Sequence, residues 1–178
     1  MKAKMQFLML MLLVSITSFS QSEEKKEKVI ADTKDAKAEF IKADANMAKL
    51  FSASYGYVIF PNVGKGGVVV GGAAGNGAVY EGDKLIGTAK LSQVSVGLQL
   101  GGQSYREVIF FENKKAMDRF KDNRIELSAQ VSAVAAASGA SANAKYVENV
   151  MVFTMQKGGL MYEATVGGQK FKFEANGD

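Results

Sequence analysis

The chain is predicted to be an α+β protein: N-terminal amphipathic helices packed on a strongly curved, mainly antiparallel, glycine-rich sheet or partly closed barrel. The prediction rests first on where glycine falls. All 19 glycines lie at or after Gly56, so a glycine-free arm precedes a glycine-punctuated body. Within the arm, residues 22–54 hold neither Gly nor Pro and repeat their apolar positions at three- and four-residue steps. Within the body, β-branched and aromatic runs of strand length are cut by glycine pairs at turn spacing.

Taken in order, Lys2 and Lys4 precede an apolar run over residues 7–14, followed by Ser18-Phe19-Ser20 before Gln21. This is the layout of a secretory signal peptide, and its apolar run is short for a bilayer span. Cleavage after Ser20 is expected, with export to the periplasm or exterior and peripheral membrane association. The expected organisation is a signal peptide over 1–20, a helical arm over 21–55 and a β body over 56–178, the last two forming one domain. Residues 1–20 carry two lysines and no acidic residue, so 22 basic residues become 20 against 18 acidic, and the mature chain is near +2. That balance gives no support for nucleic-acid binding. The chain has no Cys and no His, which removes disulfides, Ser-His-Asp and Cys-His catalysis, and the usual zinc and transition-metal ligands. No cofactor is expected.

Ser22 reads as an N-cap with Glu23 and Glu24 in the first turn. Val29, Ile30, Thr33, Ala36, Phe40, Ile41, Met47, Leu50 and Phe51 form the apolar stripe of one helix, or of two broken near Asp44. Tyr57-Val58-Ile59-Phe60 and Val68-Val69-Val70 read as buried strands, the first closed by a Pro61-Asn62 turn. Gly71-Gly72 and Gly75-x-Gly77 are expected to bend the sheet, by positive φ or close approach. Glu81-Gly82-Asp83-Lys84 is a hairpin turn, and residues 85–91 its second strand. Val94, Val96, Leu98 and Leu100 alternate with Gln93, Ser95, Gly97 and Gln99, the pattern of a half-buried strand with valine and leucine inward. Val108-Ile109-Phe110-Phe111 makes another strand, entered through Tyr105-Arg106-Glu107. Asn113 caps a helix from Lys114 to about Asn123, with Ala116, Met117 and Phe120 on one face. The small-residue segment 128–137 is read as extended. The last third reads as a meander: residues 150–155, a Gly158-Gly159 turn, residues 160–166, a Gly167-Gly168 turn, then Lys170-Phe171-Lys172-Phe173 with both lysines on one face.

A phosphate-cradling loop is not supported, because Gly64-Lys65-Gly66-Gly67 lacks the GxxxxGK[ST] frame. Enzymatic chemistry would need converging carboxylates, whereas Glu81, Asp83, Glu107 and Glu163 read as solvated charges near turns or strand ends. The basic residues Lys65, Lys84, Lys90, Arg106, Lys170 and Lys172 lie on or beside strands. They form either an anionic-headgroup patch or a scatter of solubilising charges, and the geometry of the sheet decides between the two.

The series Gly56-Tyr57-Val58-Ile59-Phe60-Pro61, Lys65-Gly66-Gly67, Gly71-Gly72, Gly75-x-Gly77, Gln99-Leu100-Gly101-Gly102 and Lys157-Gly158-Gly159-Leu160 resembles the SYLF domain over residues 42–173. The resemblance implies a lipid-binding domain, with phosphoinositide and actin binding among eukaryotic members. This chain has no Trp, a single Pro and no appended SH3 or zinc-binding module, so actin is not an expected partner. The expected function is that of a non-enzymatic exported protein recognising anionic phospholipid or a membrane surface; the alternative is a structural or interaction protein of the cell envelope without a lipid ligand.

Overall fold

The computed structural model describes the backbone of residues 2–66, 70–96, 103–125, 127, 133–157, 166 and 168–176, and their side chains apart from those of residues 2–22, 65, 66, 70, 71, 95, 96 and 103. The chain runs α1 (Lys2–Ala43), α2 (Met47–Ala53), β1 (Gly56–Gly66), β2 (Val70–Glu81), β3 (Lys84–Val96), β4 (Gln103–Phe111), α3 (Lys114–Lys121), β5 (Ala133–Ala135), a 3-10 turn (Ala140–Asn143), β6 (Val150–Gln156) and β7 (Lys170–Ala175). The strands form one seven-stranded sheet in the order β5-β6-β4-β1-β2-β3-β7. Every pairing is antiparallel except that of β5 with β6, so the sheet is mixed.

Both faces of this sheet are covered. The arm buries Ala36, Phe40, Met47 and Phe51 against Tyr57, Ile59, Val108, Phe110, Met151 and Phe153 on one face. On the other, α3 buries Ala116, Met117 and Phe120 against Val58, Val79, Ile109 and Phe111, and Leu91, Val152 and Phe171 complete that cluster. The rings of Phe51 and Phe110 meet edge to face at 4.9 Å, and those of Phe111 and Phe120 are also 4.9 Å apart. Such aromatic pairs add to what area burial alone contributes.

The expected stripe on the arm is the stripe that packs, and the break falls at Asp44 as the sequence suggests. Asp44 is nearly fully buried at the elbow between α1 and α2. Its Oδ1 accepts from the Asn46 amide at 3.0 Å, and its Oδ2 from the Ser141 amide at 2.9 Å and the Ser141 hydroxyl at 2.7 Å. These donors, the Ser141 amide foremost, hold the carboxyl below its ordinary range. Ser22 does not start a helix, because α1 runs continuously through it and nothing nearby in the sequence breaks a helix. The cap at Asn113 forms as expected, with its side chain accepting from the Ala116 amide at 3.0 Å.

Several strand expectations change. Pro61-Asn62 is not a turn: β1 continues to Gly66 with a register shift around these residues against both neighbours, a bulge that bends the strand locally. Gly77 sits where a Cβ would lie 2.5 Å from the Ile59 carbonyl oxygen and 2.7 Å from Phe60 Cδ1, so it acts by close approach and not by positive φ. Positive φ is used at Gly82, φ 58°, in the β2–β3 hairpin turn. β3 extends from the hairpin as far as Val96, and its phase is the reverse of the one expected, with Gln93 buried and Val94 78% exposed. Ala89 and Leu91 already point into the core, and period two then turns Gln93 inward with them. Leu98, Leu100, Gly101, Gly102, Gly158, Gly159, Glu163 and the strand expected over 160–166 lie outside the described residues, apart from Val166, which is buried but in no strand. Of the extended segment at 128–137, residues 133–135 form β5.

The last third is not a meander. β6 pairs with β4, whereas β7 lies beside β3 with four strands between them. Among the described residues β5 and β7 are the two edges and do not pair, so the sheet is open and the partly closed barrel is not supported. The outer side of β7 is capped instead of extended, with the Phe173 amide donating to Asn123 Oδ1 at 2.6 Å.

Candidate functional site

The register of β3 against β7 builds a charged groove at one edge of the sheet. Lys90 lies directly opposite Lys172, Ser92 opposite Lys170 and Thr88 opposite Glu174. Because β-strand side chains alternate, Lys170, Lys172 and Glu174 share the outward face, while Phe171 is buried on the opposite one. The Nζ atoms of Lys90 and Lys172 reach Glu174 Oε1 at 3.0 Å and 3.3 Å. Lys90 foremost, then Lys172, holds the Glu174 carboxyl below its usual range, so it is ionised at neutral pH.

On the same face, α1 approaches this edge around Lys25, Lys26 and Val29. Lys25, Lys26 and Val29 of α1, Asn76 of β2, Thr88, Ala89 and Lys90 of β3, and Glu174 of β7 line a cleft of about 250 Å³. Three lysines and one glutamate thus line the cleft. Nothing in the sequence singles out Lys25 and Lys26, because on a helix they look like any solvated charge. Only the approach of α1 to Asn76, Thr88, Lys90 and Glu174 gives them a partner surface.

Of the six basic residues read as either a headgroup patch or a scatter, only some meet. Lys90 and Lys172 share the groove, and Lys170 continues the same face beside Ser92. Lys84 sits at the start of β3 opposite Glu81, six residues and roughly 20 Å along the strand from Lys90. Arg106 lies on β4, with β1 and β2 between it and β3, roughly 14 Å away at ordinary strand spacing. Its guanidinium donates to Glu39 at 3.1 Å and is 16% exposed, so it fastens α1 to the sheet. For Lys65 the structure describes the backbone, opposite Ala73 and Gln103, and not the side chain.

Glu107 is not a solvated charge. It is 0% exposed, between β1 and β6, and burial pushes its carboxyl up to about 8. Gln169 Nε2 donates to its Oε2 at 3.0 Å, and Tyr105 and Thr154 are buried beside it, the burial of Tyr105 raising that phenol as well. Alternation puts Glu107 and Tyr105 on the face of Ile109 and Phe111, but Val108 and Phe110 are equally apolar on the opposite face, so the pattern by itself does not mark Glu107 as buried. Among the described residues, no group of three or more His, Cys, Asp and Glu is placed to hold a metal, and no helix is long and apolar enough to cross a membrane.

Architecture and groove together define a class: an α+β domain whose open sheet is covered on both faces and carries a basic cleft at one edge. Comparison with known proteins supports the resemblance read from the sequence. A family model described as "Ysc84: Las17-binding protein actin regulator" matches residues 92–177, so over that segment the chain is similar to the Ysc84 (SYLF) family. The match runs from within β3 through β7. A curated relative, Beta cell expansion factor A of Aeromonas veronii, is 28% identical over 123 residues, covering 68% of this chain and 47% of the relative. The chain thus spans about half the length of the curated relative it matches.

Proposed function

We propose that this is a non-enzymatic, exported protein that binds an anionic lipid surface through the groove between α1, β3 and β7. The SYLF family is associated with lipid and actin-related binding and is not known as enzymatic. The observation that carries the reading is the convergence of Lys90 and Lys172 on one carboxylate, with Lys25 and Lys26 on the wall above. Each Lys held near an anionic membrane contributes ~1 kcal/mol. The strongly perturbed acid, Glu107, is sealed in the core away from this groove and serves packing instead of acid–base chemistry. Export is supported by the signal-peptide layout before Gln21, and a mature N-terminus at Gln21 in protein isolated from its host tests that part.

Co-sedimentation with phosphatidylglycerol and phosphatidylcholine vesicles tests the binding. Wild-type protein is expected to pellet with the former only, and less as salt shortens the reach of surface charge to ~8 Å. The Lys90→Glu, Lys172→Glu double variant is expected to lose binding at least tenfold with an unchanged circular-dichroism spectrum. Retention of wild-type binding by that variant refutes the groove as the contact.

A further inference from the structure

We infer that Glu174 is a built-in counter-anion that occupies the groove, so that an incoming phosphate group must displace it. The inference rests on the lipid-surface reading and adds a regulatory element to it. One carboxylate oxygen, Oε1, takes a donor from Lys90 across the strand pair and a donor from Lys172 two residues along β7. A phosphate oxygen placed between the two lysines would need the same position and the same donors. Lysine has three rotatable donors, and both ammonium groups are more than half exposed, so the donors turn readily to a new acceptor. Glu174 is itself 43% exposed along its side chain, which leaves it room to swing toward solvent once displaced.

The geometry therefore makes Glu174 a competitor tethered at high local concentration. Its carboxylate lowers the net charge of the cleft lining from three positive groups to two. Removing that charge without changing the shape frees both lysines and raises the local field by one unit. The shared ligand chemistry is the phosphate group, presented by a lipid headgroup or as the free ion.

Glu174→Gln tests the gate, with Asp35→Asn, an exposed α1 position, as the variant of equal net charge. Glu174→Gln is expected to bind phosphatidylglycerol vesicles about fivefold more tightly than wild type, the equivalent of ~1 kcal/mol for one charge at the surface. Asp35→Asn is expected to stay within twofold of wild type. A calorimetric titration with inorganic phosphate separates the sources: the same gain there identifies phosphate itself as the occupant, and a gain confined to vesicles identifies the headgroup at a membrane. Both outcomes sustain the gate. Equal gains from Glu174→Gln and Asp35→Asn overturn it in favour of bulk charge, and weaker binding by Glu174→Gln overturns it by making Glu174 a positioning residue for the lysines. If Lys90→Glu, Lys172→Glu abolishes binding while Glu174→Gln matches wild type, the gate alone falls. If all three proteins bind alike, the groove falls with it.

Discussion

Glu107→Gln should make the protein more stable at neutral pH, against the usual expectation for altering a fully buried polar residue. In the folded state the Glu107 carboxyl is pushed up to about 8 from an ordinary 4.5, because ionising it would strand a charge in the core beside Gln169 and Tyr105. The unfolded chain releases this proton near the ordinary value. Between those two values the folded state therefore holds one proton more than the unfolded state, and stability falls as pH rises through the window, levelling off above about 8. At pH 7 the window has been crossed for about 2.5 pH units, which at 1.36 kcal/mol per unit is about 3 kcal/mol. Glutamine has the same shape, keeps an acceptor for Gln169 Nε2 and never ionises. The variant should lie within about 1 kcal/mol of wild type near pH 5 and exceed it by about 3 kcal/mol at pH 7, roughly 6–12 °C in melting midpoint for a chain of this size. Denaturant unfolding of both proteins from pH 5 to 8 measures the difference. Parallel profiles across that range would refute the reasoning, since they would mean that Glu107 titrates alike in both states.

Other consequences follow from single contacts. Gly77→Ala places a Cβ against the Ile59 carbonyl and the Phe60 ring and should destabilise by more than about 1 kcal/mol, read from a urea midpoint. Asp44→Ala leaves the Ser141 amide and hydroxyl without their acceptor and should cost about 2–3 kcal/mol. Because the Asp44 carboxyl is held low in the fold, the stability it contributes is present above its ordinary value and lost as pH falls through the lowered one, so acid unfolding of wild type should be steeper than that of Asp44→Asn. Arg106→Gln should leave vesicle binding within twofold of wild type while loosening α1, seen as faster amide exchange around Glu39, because Arg106 is engaged with the arm and not with the groove.

What the sequence determined by itself were the features set by neighbours within a few residues. The stripe of Thr33, Ala36, Phe40, Met47 and Phe51, the break at Asp44, the Asn113 cap and the Gly82-Asp83 hairpin all depend on local periodicity or one turn of backbone, and all are present. The alternation of Lys170, Phe171 and Lys172 was legible for the same reason. Tertiary structure decided which face was covered and which strand lay next to which. Period two states that Gln93 and Val94 point opposite ways, but the packing of Ala89 and Leu91 chose Gln93 for the interior and left Val94 in solvent. Glu107 reads as a surface charge until α3 and the Val166 and Gln169 segment close over that face of β4. The groove is the clearest case. Lys90 and Lys172 are 82 positions apart in the chain and become neighbours because β7 crosses the whole sheet to pair with β3 instead of β6. Strand partnership is settled by the burial of both sheet faces at once, a non-local quantity that no window of sequence contains.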